Sequence, residues 1–171
     1  MLEQNEKAIV TKVENEIRNT LDGENLKHAL DFIAFMTKIG MTLEMDYHPT
    51  FKYMDEWVCL LVYSKDDINP PMFCICSWPG ELDVIENENF PVDETLKDFA
   101  RTNVKRCINC GGCKTSNYPG PLLKIVFGKE YDNVCCNAFH FYNPDDEEMK
   151  NAKKLMELLK HIIADSKKQP T

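Results

Sequence analysis

The sequence has no long apolar run. Its longest uninterrupted apolar stretch is seven residues, at 57–63, where a membrane-spanning helix takes about 20, so no membrane association is expected. The opening residues MLEQNEK place Glu3 and Glu6 ahead of Lys7 and offer neither the basic nor the apolar segment of a secretory signal. No Asn-x-Ser/Thr acceptor occurs. These absences lead to the expectation of a cytoplasmic protein whose cysteines stay reduced or bind metal. Positive charge is also scarce: 20 Lys and Arg stand against 28 Asp and Glu, giving a formal net charge of −8 and a pI of about 5.0. Affinity for phosphate backbones comes from clustered bases, so nucleic-acid binding by bulk charge is excluded. Internal repeats and Gly- or Pro-rich linkers are missing too, which leaves a single domain over residues 1–171.

What is present suffices to fold. With 43% hydrophobic residues, one domain of this length can remove roughly 70% of its unfolded-chain surface from water. Residues 1–40 read as helical: Ile9, Val13, Ile17 and Leu21 recur at steps of four, then Asp22-Gly23 interrupts. Leu26, Leu30, Ile33 and Met36 form a second stripe that Gly40 closes, and Phe32, Ala34 and Phe35 extend its apolar surface, so this helix is expected to be well buried. Residues 41–85 change to short β-type runs at 42–47, 51–54, 57–63 and 72–78, with Asp55-Glu56 as a tight hairpin turn and 64–71 rich in turn residues. The run at 57–63 is apolar on both faces, as a central strand is. From 81 to 98 seven acids face the single Lys97, a pattern read as a solvated loop and helix face.

Pro91 and Asp93 open a helix assigned to 91–106, bearing Leu96, Phe99, Ala100 and Val104. The segment 107–142 combines a cysteine loop with strands at 122–127 and 134–142, joined by 128–133. A closing helix spans 143–165, with Asn143 as N-cap, Pro144 in the first turn, acids at 145–148, and a stripe of Met149, Ala152, Met156, Leu159 and Ile163. Clustered strands flanked by helices give the expected fold class: α+β, a single domain with a mainly antiparallel sheet, two N-terminal helices, a middle helix and a C-terminal helix.

Cysteine is the residue in excess. Five of the eight fall between Cys107 and Cys136. Cys107, Cys110 and Cys113 form C-x2-C-x2-C in CINCGGCK, where two-residue spacers turn the chain back and Gly111 and Gly112 admit tight dihedrals. A fourth ligand would come from Cys135 or Cys136. Strict alternation puts Cys136 on the face of Val134, Ala138 and His140, and Cys135 on that of Asn137, Phe139 and Phe141. Periodicity does not choose between them, and Cys135 is favoured as the first of the pair and the nearer to the loop at Asp132-Asn133. The expected metal ligands are therefore Cys107, Cys110, Cys113 and Cys135. Between residues 101 and 114 there are four bases and no acid. Lys105, Arg106 and Lys114 would offset the net charge of about −2 that four thiolates leave around Zn(II) or an oxidised [4Fe–4S] core.

The string CINCGGC resembles the cysteine run of bacterial ferredoxins. That resemblance implies a [4Fe–4S] cluster held at three corners by Cys107, Cys110 and Cys113, with electron transfer or redox sensing toward a redox partner. It covers about seven residues; no Cys-Pro follows Cys113 at the ferredoxin spacing, and there is no second cysteine run. The chain as a whole resembles small α+β proteins of anaerobic bacteria, a likeness that carries no activity. Zinc is the competing cofactor, and a four-thiolate zinc site would be structural, with no open position for water. Three cysteines in one loop suit a cluster somewhat better than the two separated C-x2-C pairs usual for zinc.

The cysteines, His140 and the aromatic residues also admit other roles. Cys110 and Cys113 could act as a redox dithiol, but a helix ends before them and KTSNYPGP cannot start one after them. Cys59, Cys74 and Cys76 read as packing, although Cys74 and Cys76 share a strand face and could bind metal. His140 could pair with Cys136, with no carboxylate to orient it, so the residues give no positive sign of catalysis. The alternative to a metal protein is a ligand-binding or regulatory module, with Tyr47, Phe51, Tyr53, Trp57, Tyr63, Phe73 and Trp78 lining a pocket for a small-molecule ligand.

Overall fold

Four consecutive antiparallel strands form between residues 42 and 77, and a second group of strands from later in the chain completes one sheet. The computed structural model describes residues 2–65, 71–77, 92–108 and 121–168. Its elements are α1 (Leu2–Thr20), α2 (Gly23–Lys38), β1 (Thr42–Met45), β2 (Pro49–Tyr53), β3 (Glu56–Ser64), β4 (Met72–Ser77), α3 (Glu94–Thr102), β5 (Val104–Arg106), β6 (Leu122–Val126), β7 (Lys129–Tyr142) and α4 (Asp146–Ser166). All strand pairs are antiparallel, in the order β1-β2-β3-β4-β7-β5, with β6 also on β7. The architecture is thus α+β, with the expected four helices. Among the described residues, no helix is long and apolar enough to cross a membrane.

Strand β7 organises the far side of the sheet. Val134 pairs with both Arg106 and Leu122, and Phe139 with both Val104 and Ser77. Strand β5 therefore runs along one edge of β7, while β4 and β6 share the other edge at opposite ends.

The sheet has two chemically different faces. Leu43, Phe51, Cys59, Ser77 and Phe139 align across five strands, all at most 4% exposed. With Leu61, Ile75 and Phe141 they meet the helices. The core joins Val13 and Ile17 of α1, Phe32, Ile33 and Met36 of α2, Leu96 of α3, and Leu155 and Leu159 of α4. Phe32 meets Phe51 edge-on with ring centroids 6.1 Å apart, and Phe99 stacks on Phe141 at 4.9 Å. Each fully buried phenylalanine contributes roughly 1.5–3 kcal/mol relative to exposure, so this layer dominates the stability. The opposite face carries Thr50, Leu60, Cys76 and His140 in one row and Val62, Cys74 and Tyr142 in the next.

Several boundaries differ from the sequence expectation, each for a local reason. The helix assigned to 91–106 ends at Thr102: Asn103 caps it through bonds to Phe99 and Ala100 carbonyls, and β-branched Val104 joins the edge of β7. The Asp55-Glu56 turn is instead Met54-Asp55, at φ 51° and 66°, a two-residue loop of the type that matches strand twist. Likewise Phe127-Gly128, at φ 46° and 74°, turns β6 directly into β7, so residues 129–133 are strand and not loop. Asn143 is not the cap of α4. It sits at φ 42°, its side chain accepts from the Phe73 N–H at 2.7 Å and from Asn25, and Asp145 caps α4 in a reciprocal box with Glu148.

Two outcomes follow for solution behaviour. Asp145→Ala should lower stability by about 1 kcal/mol in urea titration, the usual cost of losing an N-cap. The carboxyl of Asp146 is held below its ordinary range first by its hydrogen bond from His28, 2.9 Å away, and then by Lys27; that of Asp93 is lowered chiefly by the Leu96 N–H. Depressed carboxyl pKa values stabilise the fold fully above about pH 3.9, and the effect disappears as pH falls through the lower folded-state values. Asp146→Asn should therefore flatten the loss of stability measured between pH 5 and pH 2, and an unchanged slope would remove Asp146 from that role.

Candidate metal centre

Strand β4 turns every second side chain to the same face, so Cys74 and Cys76 point together to the face away from the helices. The β4·β7 register then sets Tyr142 opposite Cys74 and His140 opposite Cys76. The two sulfurs lie 3.6 Å apart, and Cys76 Sγ is 3.7 Å from His140 Nδ1. One donor atom from each of Cys74, Cys76 and His140 lies within 4.8 Å of the others, so the three could hold a metal ion. His140 Nδ1 also meets the Tyr142 hydroxyl at 3.0 Å, and Lys105 Nζ lies 5.1 Å from the centre of the Tyr142 ring.

Burial is graded across the group. Cys74 is 1% exposed and Cys76 5%, His140 is half-buried, and Tyr142 is 48% exposed. His140 Nε2 is buried and takes no hydrogen bond among the described residues, so one ring nitrogen keeps unused bonding capacity in either tautomer.

The two thiols polarise one another. Cys76 is pulled down to about 5, first by the hydrogen bond from the Cys74 thiol and then by His140 and the charge of His48, against the opposing effect of burial. Cys74 is pushed up because it donates to Cys76, because it is buried, and because the Cys76 charge is close; Lys105 pulls it the other way. Cys59, on the helix face, is raised by burial and then by Cys76. The centre thus brings together two sulfurs, that of Cys76 shifted toward the thiolate, and an imidazole, a soft donor set of the kind zinc selects.

The cysteines singled out by the loop motif are placed differently. Cys107 follows β5, donates its N–H to Asn133 O at 2.7 Å, and accepts at its carbonyl from Asn133 Nδ2 at 3.2 Å. That sets it across the ladder two positions from Cys135. Both Cys135 and Cys136 are half-buried in β7. Cys110 and Cys113, with Gly111 and Gly112, lie outside the described residues, as do Trp78 and much of the acidic stretch at 81–98.

Strict alternation along β7 fails. The β5·β7 register shifts between Val104 and Arg106, and Asn133 takes φ 53°; Val134 and the consecutive Ala138 and Phe139 are all buried in the core cluster. His140 lies opposite Cys76 of β4, which is its sulfur neighbour; Cys136 was the partner that the sequence allowed. Cys59, Cys74 and Cys76 are all buried, as expected of packing residues, and Cys74 and Cys76 share a strand face on which, with His140, they could also bind metal. The aromatic residues also divide: Phe51 and Phe73 enter the core, while Tyr47 and Trp57 are 94% and 44% exposed.

The polarised pair has a direct chemical signature. In metal-free protein, alkylation of Cys76 by iodoacetamide should show its midpoint near pH 5, far below the ordinary thiol value of about 8.5. Cys74→Ala should raise that midpoint more than His140→Asn does, because the Cys74 hydrogen bond is the larger influence. Peptide mapping of the alkylated cysteines across pH checks it, and a midpoint near 8.5 would refute the assignment.

No protein-family model, no curated protein and no solved structure matches this chain.

Proposed function

We propose that this protein is a metal-binding protein that holds one zinc ion through Cys74, Cys76 and His140. The observation that carries the reading is the spacing of the donors. Tetrahedral zinc with Zn–S near 2.3 Å and Zn–N near 2.0–2.1 Å places its sulfurs about 3.8 Å apart and each sulfur about 3.6 Å from the nitrogen. The corresponding separations here are 3.6 Å and 3.7 Å. The third edge, at most 4.8 Å, would shorten by about an ångström as the ring is drawn toward Cys74. Two thiolates and one imidazole at these distances suit a single ion, whereas cubane clusters are held by four thiolates. Three protein ligands leave a fourth position for water, the Tyr142 hydroxyl or a bound molecule. Zinc would also tie β4 to β7, and any ligand that binds the folded chain alone stabilises it by mass action.

A second reading keeps the loop site. The hydrogen bonds between Cys107 and Asn133 support a role for Cys107 with Cys135, to which Cys110 and Cys113 would add a [4Fe–4S] cluster and an electron-transfer role. The two sites share no ligand, so mutants separate them. Elemental analysis of anaerobically prepared full chain should give about one zinc per chain. Cys76→Ser and His140→Ala should each abolish it, while a Cys110→Ser, Cys113→Ser double variant retains it. Iron and sulfide lost specifically in the double variant would establish the cluster, and zinc retained in both single variants would refute the centre proposed here.

A further inference from the structure

We propose that Cys74 and Cys76 form a modification site for hydrogen peroxide, at which oxidation joins the two sulfurs as a disulfide and expels the metal. Metal release rests on the zinc reading above; formation of the bridge does not.

Proximity comes first. The sulfurs are 3.6 Å apart, and a disulfide needs about 2.05 Å between sulfurs with the Cβ atoms roughly 3.5–4.5 Å apart, so closure takes side-chain rotation together with a local contraction of β4 between Cys74 and Cys76. Cys59 faces the helix side of the sheet and Cys74 and Cys76 the other, so neither sulfur has Cys59 as an alternative partner.

The bridge would also be easy to break. Residues i and i+2 of a strand are separated by about 6.8 Å between Cα atoms, at the upper end of the usual disulfide range of roughly 4.4–6.8 Å. Strand β4 is hydrogen-bonded to β3 on one side and β7 on the other, so the contraction that closes the bridge costs ladder bonds and leaves it strained. A bridge held at the limit of its geometry is readily reduced, which makes the modification reversible.

Burial selects the oxidant. With Cys76 5% exposed and Cys74 1% exposed, a molecule of two oxygen atoms can reach the sulfur through local motion, while the bulky disulfide of oxidised glutathione cannot align for in-line exchange. The chemistry balances with hydrogen peroxide alone. The Cys76 sulfur attacks one peroxide oxygen; the O–O bond breaks, an S–O bond forms, and the departing hydroxide takes a proton to become water. The Cys74 sulfur then attacks the Cys76 sulfur, forming S–S and breaking S–O, and the second oxygen leaves as water with a further proton. The two cysteine sulfurs together lose two electrons, one peroxide gains them, and the divalent ion leaves because a disulfide is a poor ligand.

The test treats zinc-loaded and metal-free full chain with a small excess of hydrogen peroxide, follows zinc with a chelating dye, and maps thiols by differential alkylation. The expected result is loss of two hydrogens from the peptide carrying Cys74 and Cys76, one zinc released per bridge, and recovery of both thiols with dithiothreitol. Oxidised glutathione should produce none of this at equal concentration. In Cys74→Ser the reaction should stop at a Cys76 sulfenic acid that dimedone traps, which keeps the assignment testable at the first step. Cys74 and Cys76 both remaining alkylatable after peroxide, or Cys76 overoxidised without a bridge in the native chain, would overturn the proposal. A bridge in protein that never binds zinc would uphold the modification site and sink the zinc reading; zinc bound with no bridge would do the reverse.

Discussion

The register between β4 and β7 is the constraint on which the candidate site depends. The paired residues of the two strands are more than sixty positions apart in sequence, yet their pairing sets His140 beside Cys76 and Tyr142 beside Cys74. The same pairing sets Phe141 beside Ile75 and Phe139 beside Ser77 on the other face. A slip of one residue would exchange the faces, burying His140 against the helices and turning Phe139 and Phe141 away from them. The hydrophobic core thus fixes the register, and the register assembles the polar cluster. Asn143 reinforces it immediately beyond β7: its N–H donates to Phe73 O and its side chain accepts from Phe73 N–H, both at 2.7 Å.

This division of labour explains why a polar, sulfur-rich group can sit in the middle of a sheet. One face carries the phenylalanines and aliphatics that meet four helices and supply the stability. The other is relieved of that demand, so Cys74, Cys76 and His140 need only satisfy one another. They do so incompletely: one hydrogen bond joins the sulfurs, and His140 Nε2 has no hydrogen-bond partner among the described residues. A metal ion would use the two sulfurs and His140 Nδ1, and an oxidant would use the closeness of the sulfurs.

The helices were legible in the sequence because their information is local. Stripes at i, i+3 and i+4 mark α2 and α4, and the acidic first turn and capping residues mark the start of α4 to within two residues. The four strands from 42 to 78 were legible for the same reason. What was not legible came from pairing. The short strand β5 exists because β7 offers an edge to Val104, and no pattern in 91–106 announces it. The irregularity in β7 breaks the alternation on which the faces of Cys135 and Cys136 were assigned. The centre itself was half visible: C-x-C in a strand places two sulfurs on one face, but the histidine arrives from a strand whose register only the folded sheet defines. An H-x-Y on one strand and C-x-C on another was the signal available, overshadowed by the denser run at Cys107, Cys110 and Cys113.

The most direct test of the account is X-ray absorption at the zinc edge of the zinc-loaded full chain. Coordination by Cys74, Cys76 and His140 predicts two sulfur neighbours at about 2.3 Å and one or two nitrogen or oxygen neighbours at about 2.0–2.1 Å, with the multiple-scattering pattern of a single imidazole. A shell of four sulfurs without imidazole would contradict it and move the metal to the cysteine loop.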